Sequence, residues 1–465
     1  MKKPVSLARK ILRAILYIIL FIVFCLIAVS LIYYASGYRL DVKTRTLKKT
    51  GLLVINNYTT DAQVLIDGKV ADVKTSNLPN FIPSSASLVL IPGQYHLTIV
   101  KNGFLPYSEE VTIQPELITK VEPIVFISQK LEPERILEDS IINYAVSPSK
   151  RKMAYVRSQT ELVVFDFNSK GQQVITLPIK PGVIIHELTW NEDDRTLALV
   201  VDATPSRDVL VISTDNTPTV RSIKNDFSFF PTIEKVFFTH SNNNMIYAIS
   251  HTGTSDTLFK LDTANRTTTP VDQNITWYSQ DDSGISYFVE NTKTYKKLSF
   301  DSDNTQVVTD ASIYPPTNLS LQYFDKNNSA YIAAGNLVTD LNPTRAYSVD
   351  TDVTTVTYSA KYNALYYFKE ASGELWQYSF DKKEKKLLTH FNQAIQNPEM
   401  YDGTPYIVYR NRNNQLKMIK NNGTNDTVIA NFDDLSGFFI ADDNTVVTIS
   451  NTKGKTVVER FTLLP

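Results

Sequence analysis

"INYAVSPSKRKMAYVRSQTELVVFDFNSKGQQVITL" (Ile142–Leu177) contains the pattern that decides the fold. An opening strand runs into a polar turn at Ser147-Pro148, and an apolar strand follows it. The third segment ends at an acid, and the fourth is short and polar. Short segments rich in Val, Ile, Tyr and Phe, separated by turn residues, are typical of strands joined by hairpins. The stretch therefore predicts a sheet of four antiparallel strands.

The same unit recurs towards the end of the chain. Its first turn is found at Ser147-Pro148, Asn191-Glu192-Asp193, Ser241-Asn242-Asn243, Asp281-Asp282-Ser283, Asp325-Lys326-Asn327, Ser359-Ala360-Lys361, Tyr401-Asp402-Gly403 and Asp442-Asp443-Asn444. Successive turns lie 34 to 50 residues apart, and five of the seven intervals are 40 to 44 residues. A period of about 42 residues with four strands per unit indicates the blades of a β-propeller.

The third strands of four units are similar to one another: "ELVVFDF" (Glu161–Phe167), "DTLFKLDT" (Asp256–Thr263), "TYKKLSFDS" (Thr294–Ser302) and "ELWQYSFDK" (Glu374–Lys382). The first unit resembles the TolB-like and WD40-like propeller repeats, in which an "SPDG"-type turn joins the first two strands. Here that turn is Ser147-Pro148-Ser149-Lys150, without the glycine, and no Trp-Asp dipeptide ends the units. The resemblance concerns the style of the repeat and says little about function.

The number of blades depends on how the ring closes. The eighth unit has three strands, at Ser436–Ala441, Thr445–Ser450 and Thr456–Leu463. The segment Leu131–Asp139, before the first unit, is a strand without a partner in its own repeat. Pairing of this segment with the last strand would remove two exposed sheet edges. We therefore expect residues 127–465 to form an eight-bladed β-propeller, with seven blades as the alternative.

The N-terminal region predicts a membrane anchor. Residues 14–38 form a run of 25 residues without a charge, which is long enough as a helix to cross a bilayer core of about 30 Å. The preceding basic segment, residues 1–13, contains Lys2, Lys3, Arg9, Lys10 and Arg13. The positive-inside rule places this segment in the cytoplasm and the rest of the chain outside. A cleaved signal peptide is the alternative, but the run exceeds the usual apolar length of such peptides.

A small all-β module is expected between a linker (39–50) and the propeller. Residues 51–126 contain "VLIDGK" (Val64–Lys69) and "IPGQYHLTIVKNGFLPYSEEVTI" (Ile91–Ile113), which alternate and turn at Asp67-Gly68 and Asn102-Gly103. On these residues the module resembles the PEGA domain, a β-sandwich of bacterial and archaeal envelope proteins. The place of the tetrapeptide that names the family holds Thr59-Thr60-Asp61-Ala62. The resemblance implies a non-catalytic, extracytoplasmic module for spacing or adhesion.

The sequence shows little reactive chemistry. Formal net charge is -1, so no nucleic-acid partner is expected. The five histidines lack metal-ligand spacing, and the single cysteine, Cys25, excludes an intramolecular disulfide. Those histidines are His96, His186, His240, His251 and His390. No nucleophile-elbow or phosphate-loop motif occurs. We therefore assign no catalytic, metal-binding or cofactor-binding residue, and the binding residues stay unassigned.

The expected function is binding. The sequence favours a single-pass bacterial cell-membrane protein whose propeller is an interaction or scaffold platform for an envelope protein or a glycan, and not an enzyme. The alternative is a propeller enzyme with its site in the central funnel. A quinone-dependent dehydrogenase would resemble families with Trp-rich repeats, whereas this chain has three Trp. A glycoside-active enzyme would need carboxylates that converge on the funnel.

Overall fold

The computed structural model describes residues 7–463 of the chain except 42–44, 57–60, 77–84, 122–123, 125, 130, 204–205, 231, 240–244, 253–254, 282–283, 301–303, 311–318, 324–328, 334, 340–346, 402–403 and 442–444. The described residues are mostly β-strand. The chain divides into two compact units, Met1–Lys130 and Leu131–Pro465, each described here by itself.

The first unit begins with one long helix. In chain order its elements are α1 (Leu7–Ala35), β1 (Tyr38–Asp41), β2 (Thr46–Lys49), β3 (Gly51–Asn56), β4 (Ala62–Ile66), β5 (Lys69–Val70), β6 (Lys74–Ser76), β7 (Ser85–Leu90), β8 (Gly93–Lys101), β9 (Tyr107–Ile113) and β10 (Ile118–Val121). The stretch Ile15–Ala35 of α1 is long and apolar enough to cross a membrane. The helix ends three residues before the uncharged run does, because Gly37 adopts a positive φ of 84°. The expected linker 39–50 contains the hairpin of β1 and β2.

The rest of the first unit consists of two four-stranded sheets. Their strand orders are β10-β3-β7-β6 and β5-β4-β8-β9. Alternate residues of the strands are buried, among them Leu53, Leu97 and Val111, and all three belong to one apolar core. The predicted hairpin turn at Asp67-Gly68 is present, and both of its residues have positive φ. Part of the predicted tetrapeptide position, Thr59-Thr60, lies outside the described residues.

The second unit contains only a single short helix among its described residues. In chain order its elements are β11 (Glu134–Asp139), β12 (Asn143–Val146), β13 (Lys152–Ser158), β14 (Glu161–Asp166), β15 (Gln172–Thr176), β16 (Ile185–Trp190), β17 (Thr196–Ala203), β18 (Ser206–Ser213), β19 (Thr219–Ser222), α2 (Ile223–Asp226), β20 (Ile233–Phe238), β21 (Met245–Thr252), β22 (Ser255–Asp262), β23 (Thr267–Asp281), β24 (Gly284–Val289), β25 (Thr294–Ser299), β26 (Thr305–Asp310), β27 (Leu319–Tyr323), β28 (Ser329–Ala333), β29 (Asn336–Thr339), β30 (Tyr347–Asp350), β31 (Thr355–Ser359), β32 (Ala364–Lys369), β33 (Glu374–Ser379), β34 (Glu384–His390), β35 (Ile395–Tyr401), β36 (Tyr406–Asn411), β37 (Gln415–Lys420), β38 (Thr427–Asn431), β39 (Leu435–Ile440), β40 (Thr445–Thr452) and β41 (Lys455–Thr462).

These strands form consecutive antiparallel meanders. The described residues of this second unit form six four-stranded sheets, namely β12–β15, β16–β19, β27–β30, β31–β34, β35–β38 and the sheet β11-β41-β40-β39. A seventh sheet has seven strands, β20 to β26, because the long β23 pairs with β22 through its first half and with β24 through its second half. Apolar clusters join neighbouring sheets; one of them contains Leu162 of β14 and Leu199 of β17.

The predicted pairing between the two ends of this unit is observed. Strand β11 lies antiparallel to β41, with Glu134 opposite Arg460, Leu137 opposite Val458 and Asp139 opposite Thr456. The strand that precedes the first meander therefore completes the last one. Consecutive four-stranded meanders tied end to end in this way are the topology of a β-propeller.

The turns between first and second strands explain the missing glycine. Lys150 and Asp194 occupy the left-handed region at the fourth position of their turns, where an "SPDG" turn has glycine. Asn363, the fifth residue counted from Ser359, has the same conformation. Each donates its backbone N–H to the carbonyl three residues earlier, for example Lys150 to Ser147 at 2.8 Å. The other five predicted turns lie wholly or partly outside the described residues.

Candidate functional site in the central channel

First strands of neighbouring meanders contact one another at three places. Strand β12 contacts β16, β31 contacts β35, and β35 contacts β39. Trp190 on β16 donates its indole N–H to the Ala145 carbonyl on β12 at 3.0 Å. At Gly437 on β39 there is no room for a side chain, since a Cβ would lie 2.7 Å from the Tyr144 hydroxyl on β12.

An ion pair connects sheets that are distant in sequence at one end of these strands. Lys150, in the turn after β12, pairs with Glu399 on β35. The second oxygen of the Glu399 carboxylate accepts a hydrogen bond from the Ile440 amide on β39 at 3.3 Å. Glu399 thus links three sheets, namely those that contain β12, β35 and β39.

A cavity of about 380 Å³ lies between three consecutive first strands. Its walls come from β16 and the following turn, from β20 and from the second half of β23: Thr189, Trp190, Glu192, Lys235, Phe237, Tyr278, Ser279 and Gln280. The volume falls within the range of pockets that hold small ligands or one side chain of a partner. Aromatic rings beside hydroxyl and amide groups suit recognition through stacking and hydrogen bonds.

The charged groups beside this cavity are already paired. Lys235 binds the Glu187 carboxylate at 2.7 Å. At the start of β16, His186 lies 2.7 Å from Asp202, which also accepts a hydrogen bond from Arg207 at 3.1 Å. The hydrogen bond with His186 lowers the pKa of Asp202, and Arg207 lowers it further. Together they outweigh the opposing effect of desolvation. Asp202 therefore stays ionised and acts as a fixed acceptor.

Tyr278 is the cavity residue whose ionisation is most affected. Burial, and then the negative charges of Asp256, Glu234 and Glu187, raise the pKa of Tyr278 to about 12. The phenol is consequently protonated at neutral pH, where it can donate or accept a hydrogen bond but does not act as a base.

Metal ligation finds no support in the described part of the chain. No group of three or more His, Cys, Asp or Glu side chains there is arranged to hold an ion. The four described histidines lie in separate places, each beside one carboxylate: His96 with Glu110, His186 with Asp202, His251 with Asp256 and His390 with Glu374. His240 lies outside the described residues.

Sequence reasoning missed a second kind of polar cluster, which joins neighbouring meanders. In each case a Tyr on a second strand donates its hydroxyl to an Asp on the last strand of the preceding meander. Tyr367 donates to Asp350 at 2.8 Å, and the same carboxylate binds Lys369 and Lys385 at 3.1 and 3.2 Å. We call these groups seam clusters; the others are Tyr155–Asp139–Arg157 and Tyr287–Asp272–Lys296.

The surroundings of two seam carboxylates, Asp350 and Asp139, favour their ionised form. Burial alone would raise the pKa of Asp350, but the Thr351 amide, Tyr367 and the two lysines together hold it below its ordinary value. Asp139 follows the same rule, since burial is outweighed by Tyr155, the backbone of the next residue and Arg157, and its pKa is lowered. Burial, together with the acceptor Asp139, raises the pKa of Tyr155 to about 12.

Comparison with known proteins adds limited information. No family model matches the sequence, and no curated protein matches it. Among solved structures, the chain is similar to the C-terminal WD40 domain of Sif2, with a TM-score of 0.49 and 10% identity over 72% of this chain and 98% of that chain. It is also similar to the β-propeller domain of Cps50 (Swd1) from Myceliophteria thermophila, with a TM-score of 0.41 and 10% identity over 71% and 99%.

An enzyme is among the similar structures as well. The oligogalacturonate lyase of Vibrio parahaemolyticus gives a TM-score of 0.39 and 10% identity over 71% of this chain and 98% of that chain. Such values carry no argument about activity, and the set contains both WD40 domains and an enzyme. The assignment of a β-propeller therefore rests on the strand order of the chain itself.

Proposed function

We propose that the protein is a membrane-anchored binding protein whose propeller takes up a partner at the cavity in its central channel. The observation that carries the proposal is the cavity itself, between β16, β20 and β23. Its walls offer aromatic and hydrogen-bonding groups, while the neighbouring ions Lys235 and Glu187 satisfy one another. These groups can bind a partner through ring stacking and hydrogen bonds.

The blade count follows from dividing the seven-stranded sheet. The first half of β23 is the outer strand of one meander, and its second half is the first strand of the next. With that division and with β11 as the outer strand of the last meander, the ring has eight blades. We propose this count together with the closure by β11.

The chain order suggests how the propeller is presented. Helix α1 is the proposed single-pass anchor, with the basic N-terminal segment in the cytoplasm and both β-units in the bacterial envelope. Five Lys or Arg precede the span and five lie between residues 39 and 49, so a topology reporter, and not the charge balance, decides the orientation. The two sheets of the first unit share one core and are proposed to be the PEGA-like sandwich that serves as a spacer.

A topology experiment tests the anchor. A reporter that is active only outside the cytoplasm, fused after residue 465 of the full chain, should be active and should stay with the membrane fraction. Activity restricted to a cytoplasmic reporter would reverse the proposed orientation. Release of the fusion into the medium would instead indicate a cleaved signal.

Partner capture tests the cavity. Full-length protein in nanodiscs should retain one or more components of an envelope extract, either protein or glycan. Gln280→Ala should weaken retention, because it removes a hydrogen-bonding group from the cavity wall, whereas the exposed Lys386→Ala should not. Equal retention by both variants would place the binding site elsewhere. Turnover of a glycoside, or recovery of a quinone with the purified protein, would favour the enzyme alternative.

A further inference from the structure

The hairpin that follows the membrane helix is fixed to the end of that helix. Strands β1 and β2 pair in the register Tyr38–Lys49, Arg39–Lys48, Leu40–Leu47 and Asp41–Thr46. Thr50, directly after β2, donates both its amide and its hydroxyl to the Gly37 carbonyl, at 3.0 and 2.9 Å. The base of the hairpin is therefore held at the turn that ends α1, rather than connected to it by a free linker.

Arg39 places the first strand beside the last turn of the helix. Its guanidinium donates to the Tyr34 and Tyr38 carbonyls, at 2.9 Å each, and lies 3.6 Å from the centre of the Tyr34 ring. Tyr33 and Tyr38 meet edge to face at 5.4 Å. Tyrosines and arginines are the side chains that favour the interface between lipid tails and water. The hairpin thus starts at the level where the proposed span leaves the hydrocarbon.

One face of the hairpin is apolar and uncovered. Leu40 and Leu47 are opposite each other and are 59% and 53% exposed. Their sheet has only these two strands among the described residues. Two-stranded hairpins of this kind are marginal in water unless a third strand or another surface covers the apolar side. The two adjoining exposed leucines therefore indicate that this face of the hairpin contacts another apolar surface.

The other face is charged. Arg39 and Lys48 are direct cross-strand partners, and Asp41 and Thr46 form the next pair on the same face. Arg45 lies at the exposed turn side of β2. Lipid phosphates are the anions that a span ending at Ala35 brings close to the basic side chains of this hairpin. Lys49 on the apolar face is already engaged, because it pairs with Glu116.

We propose that the hairpin β1–β2 lies in the headgroup layer of the bilayer, with Leu40 and Leu47 in contact with the upper acyl chains and Arg39, Arg45 and Lys48 in contact with anionic lipid phosphates. This inference rests on the proposed membrane span. The span Ile15–Ala35 has 21 residues, or about 31 Å of helix, which matches the hydrocarbon thickness and leaves the hairpin in the interface. An amphipathic element in this position fixes the height of the unit above the membrane.

Fluorescence quenching by spin-labelled lipids tests the proposal. The only cysteine is Cys25, so a Cys25→Ser chain can carry one new cysteine for an environment-sensitive label. Full-length Leu47→Cys in nanodiscs should show a blue-shifted emission and lose most of its fluorescence to a label near the headgroup. Val70→Cys is the matched control, because Val70 is 64% exposed on another hairpin of the same unit. Leu47→Cys that behaves like Val70→Cys would overturn the proposal.

Two further measurements distinguish a failure of the membrane anchor from a failure of the hairpin inference. Ile22→Cys, inside the proposed span, should be quenched by a spin label deep in the acyl chains; if it is not, the membrane anchor itself fails rather than the hairpin inference. Replacing phosphatidylcholine discs by discs with phosphatidylglycerol should increase quenching at residue 47, and Arg45→Gln should reduce that increase. Equal quenching in neutral and anionic discs would overturn the role of anionic lipid headgroups.

Discussion

Two seams of the propeller differ in how the chain supports them. Between β30 and β31 the chain runs directly from one meander to the next, and Asp350 binds Tyr367, Lys369 and Lys385. At the closing seam, Asp139 on β11 binds Tyr155 and Arg157 in the same manner. However, β11 belongs to its sheet only through its pairing with β41. A seam cluster of the same kind is therefore present at both seams, but only the closing seam depends on a strand from the other end of the unit.

Deletion of Leu131–Asp139 should have the largest effect. It removes β11, exposes the edge of β41 and takes away Leu137, which is 6% exposed, and the Asp139 carboxylate. We expect a loss of several kcal/mol in the free energy of unfolding, because backbone pairs, apolar contacts and a charged cluster disappear together. Thermal unfolding of the full chain in detergent measures it.

The control for this deletion substitutes two residues of the deleted segment that lie outside β11. Replacing Glu132 and Pro133, which precede β11, by Gly and Ser should leave the melting temperature nearly unchanged. If the deletion melts like this control, β11 does not hold the ring together, and the proposed count of eight blades fails with it.

Asp350→Asn should have the next largest effect. The Asp350 side chain is 8% exposed and accepts hydrogen bonds from two lysines. Loss of its charge leaves the ammonium group of Lys369, only 16% exposed, without its carboxylate, so we expect a destabilisation of about 3 kcal/mol. Asp433→Asn, at an exposed position, should change the free energy of unfolding by less than about 0.5 kcal/mol. Denaturant unfolding of both variants measures the two changes in the free energy of unfolding.

The pH dependence of the Asp350 effect has a definite sign. The pKa of Asp350 is lower in the folded protein than its ordinary value. A group of this kind stabilises the fold above its unfolded pKa, about 3.9, and loses that contribution as the pH falls through the folded pKa. The difference in stability between the native chain and Asp350→Asn should therefore be full at pH 7 and shrink below about pH 4. A difference that grows on acidification would contradict the assignment.

Tyr155→Phe should have the smallest effect. The substitution keeps the buried ring and removes one hydroxyl, which donates to Asp139 at 2.7 Å. The expected loss is about 1 kcal/mol, because Arg157 still binds the carboxylate at 2.8 Å. The melting temperature of Tyr155→Phe is compared with that of Tyr33→Phe, which removes a hydroxyl outside the propeller. A loss as large as that of Asp350→Asn would show that the two seams are not built alike.

The sequence predicts the repeat better than the seams. Turn residues and alternating strands are local signals, so the meanders follow from the spacing of the turns. The role of β11 follows because this strand has no partner in its own repeat. The seam clusters join residues from different meanders, and only a weak signal marks them. An Asp precedes the Tyr by 16, 15 or 17 residues in the three clusters. Such an offset has meaning only once it is known which strands pack together.

The cavity could not be predicted for a related reason. Its walls come from Trp190, Lys235 and Tyr278 on three first strands, and each strand has residues that face either the channel or a neighbouring sheet. The pattern along one strand does not show which partners the next meanders place opposite it. Likewise, the segment 39–50 has the composition of a linker, and only the pairing of Leu40 with Leu47 reveals an amphipathic hairpin.

A cross-link between β11 and β41 tests the central claim, a ring closed around the cavity. Arg135 and Glu459 are register partners; the Arg135 side chain is 57% exposed and that of Glu459 is 16% exposed, and the closest atoms of their ion pair are 3.9 Å apart. In the Cys25→Ser chain, Arg135→Cys with Glu459→Cys should form an intramolecular disulfide on mild oxidation. Because it closes a long loop, it should raise the free energy of unfolding by up to about 5 kcal/mol relative to the reduced form. Failure to form the bond within one chain, or a bond without any gain in stability, would contradict the closed ring.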